Sequence, residues 1–153
     1  PTETYTATVE ACRAWPVVTA NDLGLGDGGY SRHLDGHSSP LMEFLEYQEL
    51  AQTAGPEEPV YYILTTERYD CATEFLARWT LAQRHKETQN GYFLWGDLDW
   101  EPAPGLGFDE SYTCRDGAYL LLRQGRVVAL VGCDGMDLTQ PQALETVRAR
   151  VLG

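Results

Sequence analysis

Residues 118–131 read Ala118-Tyr-Leu-Leu-Leu-Arg-Gln-Gly-Arg-Val-Val-Ala-Leu-Val131, two apolar runs separated by Gln124-Gly125. Apolar runs on either side of a two-residue turn containing glycine are typical of a β-hairpin. With Gln124-Gly125 as the turn, Arg123 pairs with Arg126, and alternation divides the side chains between two faces. One face carries Leu120, Leu122, Val127 and Ala129, and the other Tyr119, Leu121, Val128 and Leu130. Both faces are apolar, so we expect a helix on one and a second layer, the long loop or a second subunit on the other.

A C-terminal helix is predicted after this hairpin. Thr139 and Gln142 have the spacing of a capping box, and Pro141 is tolerated in a first helical turn. The predicted buried stripe of this helix is Ala143, Leu144, Val147 and Val151.

Further elements follow from pattern along the chain. Residues 4–9 alternate like a short strand, 60–65 form a continuous β-branched and aromatic run, and 110–114 enter a strand that turns at Asp116-Gly117. Residues 92–95 also resemble a strand, and residues 21–40 form a long loop or an irregular strand. A helix is predicted over 71–86, capped by Asp70, with a buried stripe of Ala72, Phe75, Leu76, Trp79 and Gln83.

Residues 41–48 fit two patterns. Leu41, Phe44, Leu45 and Gln48 recur at helical spacing, whereas Met42, Phe44 and Glu46 alternate as on one face of a strand. We favour the helix. Together the elements predict one α+β domain over residues 1–153, a mainly antiparallel sheet packed by two or three helices and ending in the hairpin and C-terminal helix, with residues 1–15 as a loosely attached arm or a strand.

Charge limits the partners of this chain. The sequence holds 23 Asp and Glu residues against 11 Lys and Arg residues, a formal charge of −12 at pH 7. Such a chain repels phosphate backbones, so we expect no nucleic-acid partner. No apolar run approaches the roughly 20 residues of a membrane span, so we expect no insertion of this segment into a membrane. Because the chain begins at Pro1 rather than Met, either a signal or anchor segment was removed or the sequence was trimmed.

The four cysteines, Cys12, Cys71, Cys114 and Cys133, form no C-x-x-C motif. Their spread suits either buried thiols or two disulfides. In the predicted hairpin register Cys133 lies opposite Asp116, two residues from Cys114. A bend at Asp116-Gly117 brings a Cys114–Cys133 bridge within reach without requiring it.

One candidate metal site stands out. His33, Asp35 and His37 are spaced i, i+2, i+4, so an extended chain places two imidazoles and one carboxylate on one face, a ligand set that suits zinc or another divalent ion. Asp97, Asp99 and Glu101 are evenly spaced carboxylates of a kind that calcium uses, but Pro102 stands where an EF-hand loop needs glycine. We otherwise expect no cofactor.

Aromatic side chains are concentrated near the predicted loops, at Trp15, Tyr30, Tyr92, Trp95, Trp100, Phe108 and Tyr112. Trp and Tyr beside carboxylates are used by clefts that bind sugars or peptides and by protein interfaces. We take Trp95, Trp100 and Tyr112 as candidate ligand-binding residues. A G-x-S-x-G nucleophile motif and a P-loop are missing, so a non-catalytic role is favoured.

The hairpin over 119–131, with its Arg-Gln-Gly-Arg turn, and the helix over 139–152 resemble a pattern of uncharacterised extracytoplasmic domains of bacterial lipoproteins and membrane-anchored proteins. The resemblance covers about a quarter of the chain and implies a non-enzymatic binding domain outside the cytoplasm, whose partner would be a protein, a peptide or a saccharide. It implies no site residues. Two alternatives remain: a small metal-dependent enzyme using His33, Asp35 and His37, and a cytoplasmic partner protein that forms a homodimer through the second face of the hairpin sheet.

Overall fold

The computed structural model describes residues 2–7, 15–27, 32–52, 60–89 and 98–152. Two α-helices are described, α1 (Glu74–Gln89) and α2 (Pro141–Val147), and α2 continues as one π-helical turn over Arg148–Leu152. Short 3-10 helices lie at Asn21–Leu23 and Pro104–Leu106. The strands are β1 (Thr2–Ala7), β2 (Gly26–Asp27), β3 (Arg32–Ser38), β4 (Met42–Gln52), β5 (Tyr61–Cys71), β6 (Glu101–Pro102), β7 (Glu110–Cys114), β8 (Tyr119–Gln124) and β9 (Val127–Cys133).

These strands form one sheet in the order β1-β3-β4-β5-β9-β8-β7-β6, and the two-residue strand β2 pairs with β4. Every ladder among the described strands is antiparallel. The predicted α+β class with a mainly antiparallel sheet is confirmed. Because β1 pairs with β3 along its whole length, residues 2–7 belong to the sheet rather than to a loose arm.

The sheet is covered on both faces where the hairpin lies. On what we name the α1 face, Tyr119, Leu121, Val128 and Leu130 pack with Ala77 and Leu81 of α1. On the opposite α2 face, Leu120, Leu122, Ala129 and Val131 pack with Val18, Ala143, Val147 and Val151. The hairpin also has no free edge, because β8 pairs with β7 and β9 pairs with β5. The uncovered face on which the predicted dimer depended is therefore filled by the chain itself.

The hairpin is confirmed, but its register differs from the prediction. Gln124 pairs with Val127, so the two turn residues are Gly125 and Arg126. Gly125 has φ +59°, the left-handed conformation that a tight hairpin turn asks of its first central residue. The turn therefore lies one residue later than predicted, and each residue of β8 pairs with a residue of β9 two positions further along the chain than predicted. Since strand side chains alternate with period 2, every side chain keeps its predicted face.

The Cys114–Cys133 bridge is not formed. Cys71, Cys114 and Cys133 are free and buried. Cys133 follows Gly132, the partner of Tyr119, and packs on the α2 face, whereas Cys114 pairs with Tyr119 and packs on the α1 face. Two thiols on opposite faces of a sheet do not meet the geometry of a disulfide.

The helix favoured over 41–48 is wrong, because Met42–Gln52 is the long strand β4. Its buried side chains alternate at Leu45, Tyr47, Glu49 and Ala51. Glu49 interrupts the apolar pattern that would have identified the strand. Its carboxylate is satisfied inside, accepting hydrogen bonds from the Tyr47 hydroxyl at 2.7 Å and from the Ala20 amide at 3.0 Å.

Helix α1 begins later than predicted and turns a different side to the sheet. Asp70 lies in β5, and Thr73 caps the helix by accepting the Leu76 amide at 3.1 Å. The buried residues are Ala77, Thr80, Leu81 and Thr88, whereas Phe75 and Trp79 of the predicted stripe are exposed. This side is chosen by polar contacts that a hydrophobic pattern does not show: Arg84 bonds Glu67 at 2.9 Å, and Thr88 accepts the Trp100 indole N–H at 2.7 Å.

The stripe predicted for α2 is confirmed, with Ala143, Val147 and Val151 buried and Leu144 half-buried. The capping box is wrong in detail, because Gln140 occupies the N-cap position without a side-chain bond. Thr139 instead donates to the Asp137 carboxylate through both its amide and its hydroxyl, and the Gln140 amide side chain donates to the same carboxylate. These bonds lower the pKa of Asp137.

Candidate functional site

A pocket of about 350 Å³ lies on the α2 face of the sheet, between residues 15–16 and strands β3, β4 and β5. This volume is at the lower end of the range that small-molecule sites occupy. The lining is Trp15, Pro16, Gly36, His37, Ser38, Glu43, Phe44, Leu45 and Arg68.

Trp15 and Pro16, which form one side of the pocket, are held in place by the residues that follow them. Val17 and Val18 are wholly buried, and the Val18 amide donates to the Thr66 hydroxyl at 3.2 Å. On the solvent side, Arg150 donates to the Trp15 carbonyl at 3.2 Å. Pro16 disfavours helix at the residue before it, and the Val17 amide donates to the Trp15 carbonyl at 2.8 Å, so residues 15–17 make a tight turn. Trp15 is thereby fixed above the strands, with about a third of its surface exposed.

Arg68 brings a guanidinium to the pocket, and 18% of its side chain is exposed. Its Nε donates to the Val151 carbonyl at 2.9 Å, which ties β5 to the end of the α2 segment. Its Nη1 lies 3.6 Å from the Asp70 carboxylate, beyond ordinary hydrogen-bond length. A guanidinium carries five N–H donors. Within the described residues, Arg68 makes one hydrogen bond, to Val151, and one ion pair, between Nη1 and Asp70, so Nη2 is the nitrogen best placed to donate to a ligand.

The three candidate metal ligands all lie on β3. The strand is extended, as the prediction required, so positions 33, 35 and 37 share the α1 face. In the next strands, Asp35 pairs with Glu46 and Glu46 with Glu67, so three carboxylates stand in one row across the sheet. Among residues with described side chains, which exclude His33, no group of three His, Cys, Asp or Glu is arranged to hold a metal. The site at His33, Asp35 and His37 stays a prediction.

The candidate ligand-binding aromatics lie elsewhere. Trp100 is buried in the α1-face core, with its indole N–H bonded to Thr88. Tyr112 is half-buried, its ring edge-on to His85 with centroids 4.7 Å apart, beside a small cleft of about 200 Å³. Trp95 lies outside the described residues, as do residues 92–94 and Asp97. Asp99 and Glu101 are exposed.

Sequence reasoning counted Trp15 among the aromatics but did not assign it to a site, and it missed Arg68 altogether. The strand was predicted to end at residue 65, whereas β5 continues to Cys71 through a polar run, Thr65-Thr-Glu-Arg-Tyr-Asp70. This run has no alternation of apolar and polar residues, so no pattern in it marks Arg68 as part of the strand. Trp15 and Arg68 line one pocket because of pairings distant in sequence, which a local pattern does not contain.

Two of the buried thiols are poor nucleophiles. Burial raises the pKa of Cys114 to about 11 and that of Cys133 to about 12, and the neighbouring Asp134 carboxylate acts in the same direction. The thiolate is the reactive form of cysteine, and it is scarce at neutral pH at such values.

Comparisons with protein-family models, with curated proteins and with solved structures found no match to this chain. In the described part of the molecule, no helix has the length and apolar character needed to cross a membrane.

Proposed function

We propose that this chain is a non-catalytic binding domain whose ligand enters the pocket beneath Trp15. The observation that carries the proposal is Arg68: its side chain is largely buried, its guanidinium is bonded to one protein carbonyl, and it lines a pocket whose surface is mostly apolar. A small number of polar groups among mostly apolar walls orients a ligand and gives the site its specificity.

The pocket fits an apolar group that carries a hydrogen-bond acceptor. Trp15, Pro16 and Leu45 supply apolar surface, and the Arg68 fork matches a carboxylate or a carbonyl oxygen. Glu43 also lines the pocket and Asp70 lies close to Arg68. These two carboxylates weaken the electrostatic attraction between Arg68 and an anionic ligand. A peptide side chain or terminus, or a small aromatic acid, has the required chemistry.

The setting that we propose is extracytoplasmic, in a bacterial secreted or membrane-anchored protein. The support is the resemblance of the hairpin and C-terminal helix to such domains. The formal charge of −12 suits a soluble surface at which a partner docks.

Three probes with one apolar group test the pocket: 3-phenylpropionate, 3-phenylpropanamide and 3-phenylpropylamine. Binding is followed by two-dimensional NMR, with the Trp15 indole peak identified by its loss in Trp15→Phe. At a ligand efficiency of about 0.3–0.4 kcal/mol per non-hydrogen atom, the acid and the amide should bind with Kd of about 1 mM. The amine should bind at least tenfold more weakly, because its cation opposes Arg68.

Matched variants separate the pocket from the rest of the surface. Trp15→Ala should weaken the acid at least tenfold, and Arg68→Met should abolish the preference for acid over amine. Trp79→Ala and Arg78→Met, which alter an exposed Trp and an exposed Arg on α1, should change neither. The proposal fails if none of the three probes shifts the Trp15 peak at 10 mM, or if the preference survives Arg68→Met in a variant with a native spectrum.

A further inference from the structure

Helix α1 presents large aromatic side chains to solvent. Phe75 is 78% exposed and Trp79 is 56% exposed, one helical turn apart on the same stripe. Leu41, 65% exposed, lies beside the start of the helix, where its carbonyl accepts the Ala72 amide at 2.9 Å. Exposed apolar residues are ordinary when scattered singly, but a contiguous group at the surface marks an interaction site.

The charges that flank this stripe are arranged in a self-complementary way. Glu74 and Arg78 are also one turn apart, form an exposed i,i+4 pair at 3.7 Å, and lie on the stripe next to Phe75 and Trp79. Consider two α1 helices packed antiparallel about a two-fold axis level with residues 76–77. Phe75 of one copy then meets Trp79 of the other, and Glu74 of one meets Arg78 of the other.

From this arrangement we infer that the Phe75–Trp79 face of α1 is the contact surface for a second copy of this chain. We choose a second copy as the partner because this one face carries both members of each pair: Phe75 and Trp79 for the apolar contact, and Glu74 and Arg78 for the ionic contact. The contact is separate from the pocket beneath Trp15, which opens on the other face of the sheet.

The expected dimer is weak. A buried aromatic side chain contributes on the order of 200 Å², and the exposed parts of Phe75, Trp79 and Leu41 together offer roughly 400 Å² per copy. That is about half of what a standard stable interface buries on each partner. The acidic net charge also opposes association at low salt, although it is screened beyond about 8 Å at physiological ionic strength. A Kd of about 10–500 µM at 150 mM NaCl is therefore expected.

Sedimentation equilibrium from 10 µM to 1 mM measures this association. Phe75→Ser and Trp79→Ser should each raise the Kd at least tenfold. Tyr61→Ser removes an aromatic of comparable exposure on β5, and Trp15→Ala alters the pocket, so both should leave the Kd within twofold of wild type.

Charge exchange tests the predicted pairing directly. Glu74→Arg and Arg78→Glu each place like charges opposite one another across the two-fold axis, so each variant alone should dimerise at least fivefold more weakly. An equimolar mixture of the two variants restores opposite charges across the contact and should recover wild-type association. The intrachain pair is exposed and contributes little to stability, so both variants should remain folded.

Three results would overturn the inference: a wild-type protein that is monomeric at 1 mM, a dimer that Phe75→Ser and Trp79→Ser leave unchanged, or a mixture that associates no better than the separate variants. Cosedimentation with phosphatidylglycerol vesicles distinguishes the competing occupant. If a monomeric wild type binds them and Trp79→Ser does not, the face belongs to a lipid surface instead.

Discussion

Helices α1 and α2 pack on opposite faces of one sheet but attach by different chemistry. Helix α2 and its π turn bury aliphatic residues, Val147 and Val151 among them, against the hairpin. Helix α1 buries Ala77 and Leu81 but is also held by polar groups: Arg84 pairs with Glu67, and Thr88 bonds Trp100. Its largest apolar side chains point outward. The side of a helix that faces the core is thus set by the surface it meets, and aromatic residues left outside become available for another contact.

The largest expected change in the free energy of unfolding comes from comparing an apolar side chain of α2 with one of α1. Val147→Ser removes buried methyl groups and places a hydroxyl in the α2-face core, so it should lower the free energy of unfolding by about 3 kcal/mol. Trp79→Ser deletes a far larger side chain from the outer side of α1 and should change stability by less than about 0.5 kcal/mol. Urea denaturation measures both, and equal losses would mean that Trp79 is part of the core.

The second largest change in stability is expected at the ion pair between Glu67 of β5 and Arg84 of α1. Glu67 is 7% exposed and accepts the Arg84 guanidinium at 2.9 Å and the Tyr69 hydroxyl at 2.7 Å. Burial raises the pKa of that phenol well above its ordinary value, which keeps it a donor. Glu67→Gln should cost about 2 kcal/mol, less than a fully buried pair because Arg84 is partly solvated. Glu87→Gln, at the exposed end of the same guanidinium, should cost under about 0.5 kcal/mol; a similar loss in both would locate the stabilisation at the surface.

A smaller effect is expected where α1 meets the loop before β6. Trp100→Phe removes the 2.7 Å bond to Thr88 while keeping an aromatic ring, and should lower stability by about 1 kcal/mol. Tyr112→Phe should be nearly neutral. These residues were two of the predicted ligand-binding aromatics. If instead Trp100→Phe leaves stability unchanged while weakening phenylpropionate binding, Trp100 is a ligand contact and not a core residue.

The smallest effect concerns the pH dependence of α1 attachment. Burial lowers the pKa of His85, so the unfolded chain binds the proton more tightly than the folded one. The associated stability is present above the ordinary histidine pKa of about 6.5 and is lost as the pH falls through the lower folded value. Between pH 7.5 and 5, wild type should lose under about 0.5 kcal/mol more than His85→Gln, because the side chain is partly solvated. A larger loss in His85→Gln would reverse the sign.

The sequence predicts the α2 side of the fold better than the α1 side, for a physical reason. The hairpin and α2 depend on apolar alternation and helical spacing, which are local. Even the mistaken hairpin register preserved the faces, because a shift of two leaves side-chain parity unchanged. Strand β4 and the buried side of α1 depend on two buried carboxylates, Glu49 and Glu67, which accept hydrogen bonds from the Ala20 amide and the Arg84 guanidinium, both distant in sequence.

The candidate site shows the same division. The alternation of positions 33, 35 and 37 could be predicted, because it needs only an extended strand. The Trp15 pocket could not, because it requires residues 15–18 to cross strands whose order is unknown until β1, β3, β4 and β5 have paired. Arg68 meets Val151 across 83 residues of sequence, and no local pattern contains such a contact.

The strand order has a consequence for how the chain folds. Strands β1, β3, β4 and β5 form one set of neighbours and β9, β8, β7 and β6 another, and the ladder between β5 and β9 joins them. Pairs in that ladder, such as Asp70 with Val127, are 57 residues or more apart in sequence, whereas the hairpins on either side close over short loops. Loop-closure entropy makes distant pairing slow. The two halves should therefore form early, and the joining of β5 to β9 should set the folding rate of the whole sheet.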